Sequence, residues 1–362
     1  MRSPGAIAAF FRGESIPCEA IRHHGDRYNV TAVIKGTGGG RSLMLSGHMD
    51  TIPAYDMEDA FSGEIKDGCV FGRGSCDMKG PLAAMMIALA AIHRSGVKLA
   101  GDLYFTDVAD EEEKGLGTKY LIEHGPAADG VTVGEPTDMK IAPGHKGLEW
   151  IEVTFYGKKV HDGRQKEGIS AIEMAARFIN RIYGEYFPLL DSREYPVLGA
   201  PTINVGTVSG GDQPSTVPDR CVLKLDRRMV PTETIPQVYE ELKGIGDRLR
   251  EEDSRFSCTV RDVFEGDDLL PHIPFLTPDD DPIMRAARKA CLSNGIEAVT
   301  EPFPAWTDAG FIADKTGSSC IVMGPGKLEL AHSAGECIKI EDARRAAAIY
   351  VDCAREYCGT SE

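Results

Sequence analysis

Short apolar runs alternate with helical stretches through the first two-fifths of the chain. Residues 30–34 and 43–45 are continuous apolar or β-branched runs and read as strands. The glycine-rich stretch 36–40 between them predicts a hairpin turn. A dinucleotide-binding loop would have to open a helix, and here a second strand follows. Residues 81–95 read as a helix, with Pro81 in the first turn, Ala, Leu and Met in bulk, and Gly96 as a stop. Residues 103–106 and 131–133 are further short strands, with a short helix at 118–124 between them. Such alternation predicts a mostly parallel sheet covered by helices.

The middle of the chain has another rhythm. Residues 148–156 alternate as a strand, 169–182 form an amphipathic helix, 201–208 and 221–229 are strands, 234–250 is a helix, and 257–263 is a last strand. The order β-α-β-β-α-β is the split pattern of a ferredoxin-like α+β layer. After it α/β character returns, with a helix at 283–294, a strand at 319–323 and a long helix at 340–357. The fold expected is an α/β catalytic domain, residues 1–147 and 267–362, interrupted by an inserted α+β domain at 148–266.

Composition narrows the function. A length of 362 residues suits two cores, since one core rarely grows past roughly 250–300 residues. The net charge of −16 disfavours nucleic acid and anionic membrane as partners, because both need a basic face. The longest apolar run, 81–92, is shorter than the roughly 20 residues that cross a bilayer. The opening residues lack a secretory pattern, and the ten cysteines form no paired CxxC motif. Reduced thiols in a cytoplasm are therefore expected.

Polar residues able to do chemistry fall where strands end, the edge at which open α/β sheets place ligands. Strand 43–45 runs into His48-Met49-Asp50, where Asp50 is placed to orient the imidazole. Asp77 lies in a glycine-rich turn before the 81–95 helix. Asp110-Glu111-Glu112-Glu113 follows strand 103–106, and Glu135 follows strand 131–133. His332 lies in a turn after Gly324-Pro325-Gly326. Taken singly, each has an ordinary structural reading: a helix cap for Asp77, a solvated turn for the acidic run. Together they supply two imidazoles and at least three carboxylates, the ligand set of zinc or a similar first-row metal. Crowded carboxylates are costly unless a cation neutralises them.

These motifs resemble, in order, those of the M20 metallo-hydrolases, the family of acetylornithine deacetylase and succinyl-diaminopimelate desuccinylase. They are Ser46-Gly47-His48-Met49-Asp50-Thr51, Gly72-Arg73-Gly74 through Asp77-Met78-Lys79-Gly80, Asp110-Glu111-Glu112, Gly134-Glu135-Pro136-Thr137 and Ala331-His332 to Glu336. The resemblance implies two divalent ions, zinc first, with cobalt or manganese as alternatives. By position, His48 and Glu135 hold one ion, Glu112 and His332 the other, and Asp77 bridges them. Glu111 is then the general base and Asp50 supports His48. Counting back from Gly117 places the acid pair at Glu111 and Glu112, leaving Glu113 as a neighbour.

The inserted segment carries the rest of the resemblance. His161 would reach the partner subunit's site in a homodimer formed through the inserted domain, and there help bind the oxyanion. Arg228 would grip a substrate carboxylate, a task suited to the guanidinium fork. Two departures stand out: the polar run 162–166 follows His161 where small residues are usual, and Ser215 stands where Asn is common. Relative to the family the chain also starts late, with Met1 just ahead of the segment matching 5–11, so either the start is displaced or a first helix is lost. The activity implied is removal of an acyl group from an N-acyl amino acid. The alternatives are a carboxypeptidase or dipeptidase acting on short peptides with the same site, and a non-catalytic metal- or ligand-binding homologue.

Overall fold

The computed structural model describes residues 3–361; Met1, Arg2 and Glu362, at the outer ends of the expected catalytic domain, lie outside the described residues. The chain divides into two compact units. One runs to His145 and takes in Leu269–Pro271 and the chain from Phe275 onward. The other is Lys146–Asp268 with His272–Pro274.

The first unit is built on a six-stranded sheet in the order Cys18–His24, Arg27–Ile34, Leu103–Val108, Leu43–His48, Gly130–Val133, Ser319–Val322. The first two pairings are antiparallel. The other three are parallel, so the sheet is mostly parallel. All six residues of Leu43–His48 are buried, as a central strand covered on both faces requires. Leu43 and Leu45 join the core under helices Gly80–Ser95, Pro282–Ser293 and Ile340–Cys358. Met44, on the opposite face, joins the core beneath Leu116–His124 and Ala309–Thr316. Residues 75–95 are apolar enough to pass for a membrane span, but most of that stretch is buried inside the fold, as befits a core helix.

The hairpin expected at 36–40 does not form. Strand Leu103–Val108 lies between the two runs, pairing Ile34 and Leu43 alike with Leu103. The glycines instead allow close passage: a Cβ on Gly40 would stand 2.1 Å from the Cys358 carbonyl oxygen, and Gly38 N–H donates to the Ala100 carbonyl at 2.8 Å.

Strand Leu103–Val108 also carries Asp107, wholly buried, with neither carboxylate oxygen hydrogen-bonded to any described residue. Burial pushes its pKa well above the ordinary carboxylate value, with His48 and Lys79 opposing. A group whose folded pKa is raised contributes stability below its unfolded pKa and loses it as pH rises toward the folded one. Asp107→Asn is therefore expected to raise the melting temperature at pH 8, by about 1–3 kcal/mol of relieved burial cost, with the gain shrinking as pH falls toward about 4. Thermal scans at the two pH values check this; a gain that grows on acidification would contradict it.

The second unit has its own core around Ile151, Phe155, Phe178, Leu223 and Leu242. Its main sheet has four strands in the order Thr202–Gly210, Arg220–Met229, Gly147–Tyr156, Cys258–Asp262, all antiparallel. Alternate residues of Arg220–Met229 are buried, the period-two signature of a sheet with one face in the core. Its principal helices begin at side-chain caps: Ser170 accepts from Glu173 N–H before Ala171–Arg181, and Thr234 from Gln237 N–H before Ile235–Glu252.

Candidate metal centre

Four loops at the carboxyl ends of the parallel strands, together with the turn that opens helix Gly80–Ser95, bring the site together. His48 ends its strand and is buried. Its Nδ1 lies 3.2 Å from the Asp50 carbonyl oxygen and 3.6 Å from Asp50 Oδ1, which leaves Nε2 facing the site. The Asp50 carboxylate also accepts the Glu111 and Glu112 backbone N–H groups at 3.3 and 3.1 Å, lashing two strand ends together. Asp77 sits in the turn Ser75–Lys79, with the peptide bond to Met78 cis. Two strand-end glycines let these loops pack on the Asp77 turn and the helix after it: a Cβ on Gly47 would meet Met78 at 2.2 Å, and one on Gly134 would meet Met85 at 2.3 Å.

Asp77 is the centre of the arrangement. Its Oδ1 is 3.2 Å from His48 Nε2 and its Oδ2 3.3 Å from His332 Nε2. Glu112 Oε1 is 3.3 Å from His332 Nε2. Glu135 Oε1 is 3.7 Å, and Glu111 Oε2 3.9 Å, from His48 Nε2. Donor atoms of His48, Asp77 and Glu112 all lie within 4.8 Å of one another. Glu113 points elsewhere, to Arg27 at 3.2 Å.

Four carboxylates face two imidazoles, so the cluster is negative even with both rings protonated. Burial raises the pKa of Glu111 and of Glu135, and nearby acids add to it. Burial alone would lower His48, yet hydrogen bonds to Asp50 and Asp77 lift it well above the usual histidine value. Hydrogen bonds to Asp77 and Glu112 push His332 up to about 10. Burial would raise Asp77, but the two rings hold it far below the ordinary carboxylate value. Protons thus occupy places that cations would take. Glu135 Oε1 is buried with no hydrogen-bond partner among the described residues. Imidazole nitrogens and carboxylate oxygens converging on such an orphaned oxygen fit divalent ions.

Residues 44–356 match the model of peptidase family M20/M25/M40. The chain belongs to this family. Acetylornithine deacetylase of Myxococcus xanthus is 31% identical over 342 residues, covering 92% of this chain and 85% of the relative. N-formyl-4-amino-5-aminomethyl-2-methylpyrimidine deformylase of Halalkalibacterium halodurans is 30% identical over 341 residues, covering 87% and 79%. Among solved structures, an aminopeptidase of Bacillus cereus superposes with a TM-score of 0.79 at 21% identity, covering 98% of this chain and 92% of that one. A dinuclear metal-binding M20 peptidase of Bacillus subtilis gives 0.73 at 17%, covering 99% and 92%. The M20 chain is accordingly a hydrolase of amide bonds.

The M20 site has a support that the motif reading left without a role. Glu336 is fully buried, pairs with Arg73 Nη1 at 2.5 Å, and accepts the backbone N–H groups of Cys76 and Asp77 at 3.0 and 3.1 Å. It thereby fixes the turn that presents Asp77. The signal was Glu336 closing the same motif as His332, but its partner lies more than 250 residues away and only folding joins them. Asp308 is a further acid near the site, adding to the raised pKa of Glu111 and Glu135. It is buried, accepts from the Thr118 hydroxyl at 2.5 Å, and is raised by burial to about 7.

His161 and Arg228 belong to the second unit of this M20 chain. The His161 side chain is 76% exposed, beside Asp162 at 3.0 Å. Arg228 is half-buried and forks onto Asp226 at 2.7 and 3.0 Å. The adjacent Arg227 is wholly buried on Glu233, at 2.5 Å.

Proposed function

We propose that the protein is a deacylase that uses two divalent ions to hydrolyse N-acyl amino acids. The observation that carries this reading is Asp77, whose two oxygens face two different imidazoles. His48 and Glu135 would hold one ion, Glu112 and His332 the other, with Asp77 shared. Bound ions, zinc first and cobalt or manganese as alternatives, supply Lewis acidity and bring the pKa of water toward neutrality. Glu111 takes the proton from the attacking water at its carboxylate and returns it to the leaving nitrogen, without which the C–N bond does not part. Asp50 keeps His48 in the tautomer that presents Nε2.

Deacylation is favoured over peptide hydrolysis by the two curated relatives, whose names describe removal of an acetyl or formyl group. A panel of N-acyl amino acids and dipeptides, assayed with zinc, cobalt and manganese, tests it. Turnover of dipeptides alone would overturn the deacylase reading in favour of the peptidase one.

Arg228 would exchange Asp226 for a substrate carboxylate. Arg228→Ala is expected to raise KM by about 10–100-fold with a smaller change in kcat, read from initial rates. An unchanged KM removes the residue from substrate binding. The protein is further proposed to work as a homodimer through the second unit, in the cytoplasm. The exposed edge strand Thr202–Gly210 and the exposed His161 support the first, and ten free cysteines the second. Sedimentation under assay conditions tests the dimer, and full activity in a strict monomer would exclude His161 acting across subunits.

A further inference from the structure

A three-stranded sheet next to the centre carries two cysteines on one face. Strand Cys69–Phe71 lies between Ile65–Lys66 and Cys337–Lys339, antiparallel to both. The register sets Cys337 opposite Phe71 and Lys339 opposite Cys69. Directly opposed residues share a face, and so do residues two apart on one strand. Cys69 and Cys337 are therefore diagonal neighbours on the same face. Lys66, opposite Cys69 on the other flank, and Lys339 stand on that face as well, both exposed. Val70 and Ile338 take the other face.

Both thiols are free and partly exposed. Six of the other cysteines are buried. The remaining two, Cys18 and Cys258, lie in other sheets. Burial, and then the neighbouring Cys69 thiol, hold the Cys337 thiol above its ordinary pKa. Lys66 and Lys339 flank Cys69 on the two neighbouring strands.

The pair is coupled to the centre through the chain. Glu336 immediately precedes Cys337; its carbonyl accepts Gly72 N–H at 3.1 Å, and its carboxylate holds Arg73 and the backbone of Cys76 and Asp77. Diagonal neighbours stand about 7–8 Å apart, and a disulfide needs Cα atoms within about 6.8 Å. Closing a bridge therefore draws the Cys337–Lys339 strand along Cys69–Phe71 and takes Glu336 with it.

We propose that Cys69 and Cys337 form an oxidisable cross-strand dithiol, and that peroxide closes it to a disulfide that lowers turnover by displacing Glu336 from the Asp77 turn. The Cys69 thiolate attacks one peroxide oxygen. The O–O bond breaks, leaving a sulfenic acid and a hydroxide that takes up the thiol proton as water. The Cys337 sulfur then attacks the Cys69 sulfur, the S–O bond breaks, the S–S bond forms, and a second water leaves. Two thiols supply two electrons, and one peroxide becomes two waters.

The test treats the metal-loaded protein with hydrogen peroxide. Peptide mapping without reductant should show Cys69 linked to Cys337, with the intact mass lower by about 2 Da. Turnover should fall by most of its value and return with dithiothreitol. Cys69→Ser and, independently, Cys337→Ser should be active before treatment and keep their turnover through the peroxide dose. Absence of the bridge, a bridge with unchanged turnover, or equal inactivation of both serine variants would each overturn the proposal.

Discussion

Glu111→Gln is expected to cut turnover by about 100- to 10,000-fold while leaving bound ions and fold intact. Glutamine keeps the shape of the side chain and loses the ability to take a proton from water. The Glu111 backbone N–H would still donate to Asp50, so the loop that carries it stays in place. The Glu111 carboxylate lies 3.9 Å from His48 Nε2, within the same cluster. Steady-state kinetics, with metal content measured on the same sample, decides the matter. Unchanged turnover would remove Glu111 from the chemistry, and turnover lost only in step with lost metal would make it a ligand.

Asp77→Ala should act on the other half of the site. One carboxylate faces both imidazoles, so its removal takes a ligand from two positions at once. The expected result is metal content falling below two ions per chain, with turnover reduced by more than about 100-fold. His48 and His332 would lose the carboxylate they share, so the variant should also melt lower without metal. Elemental analysis after dialysis and thermal scans with and without zinc check both points. Two ions retained at wild-type affinity would show that Asp77 does not bridge.

Much of the fold was legible because its signals are local. The strand at 43–45 shows itself as an apolar run, and the helix after Pro81 by its composition and its Gly96 stop. The hairpin at 36–40 failed for a physical reason. Two strands and a glycine-rich turn state that the chain reverses, not what passes between its arms. Leu103–Val108 is inserted there by a parallel pairing with Leu43–His48, and parallel pairings leave no short-range mark.

The site divides along the same line. His48, Asp77, Glu111, Glu112, Glu135 and His332 could be picked out because each follows a strand or opens a helix, and because their order resembles a family. By itself the sequence determined residue types, their spacing and the element each belongs to, which follow from backbone periodicity and from side-chain chemistry. Only the tertiary structure decided that Asp77 faces two rings, that Glu336 holds the turn beneath it, that Asp107 is buried without a hydrogen-bond partner among the described residues, and that Cys69 lies beside Cys337. Each of these rests on packing between residues distant in the chain. Such contacts depend on which strands pair and how helices pack, and the energy that selects them is shared over the whole core rather than written at any one position.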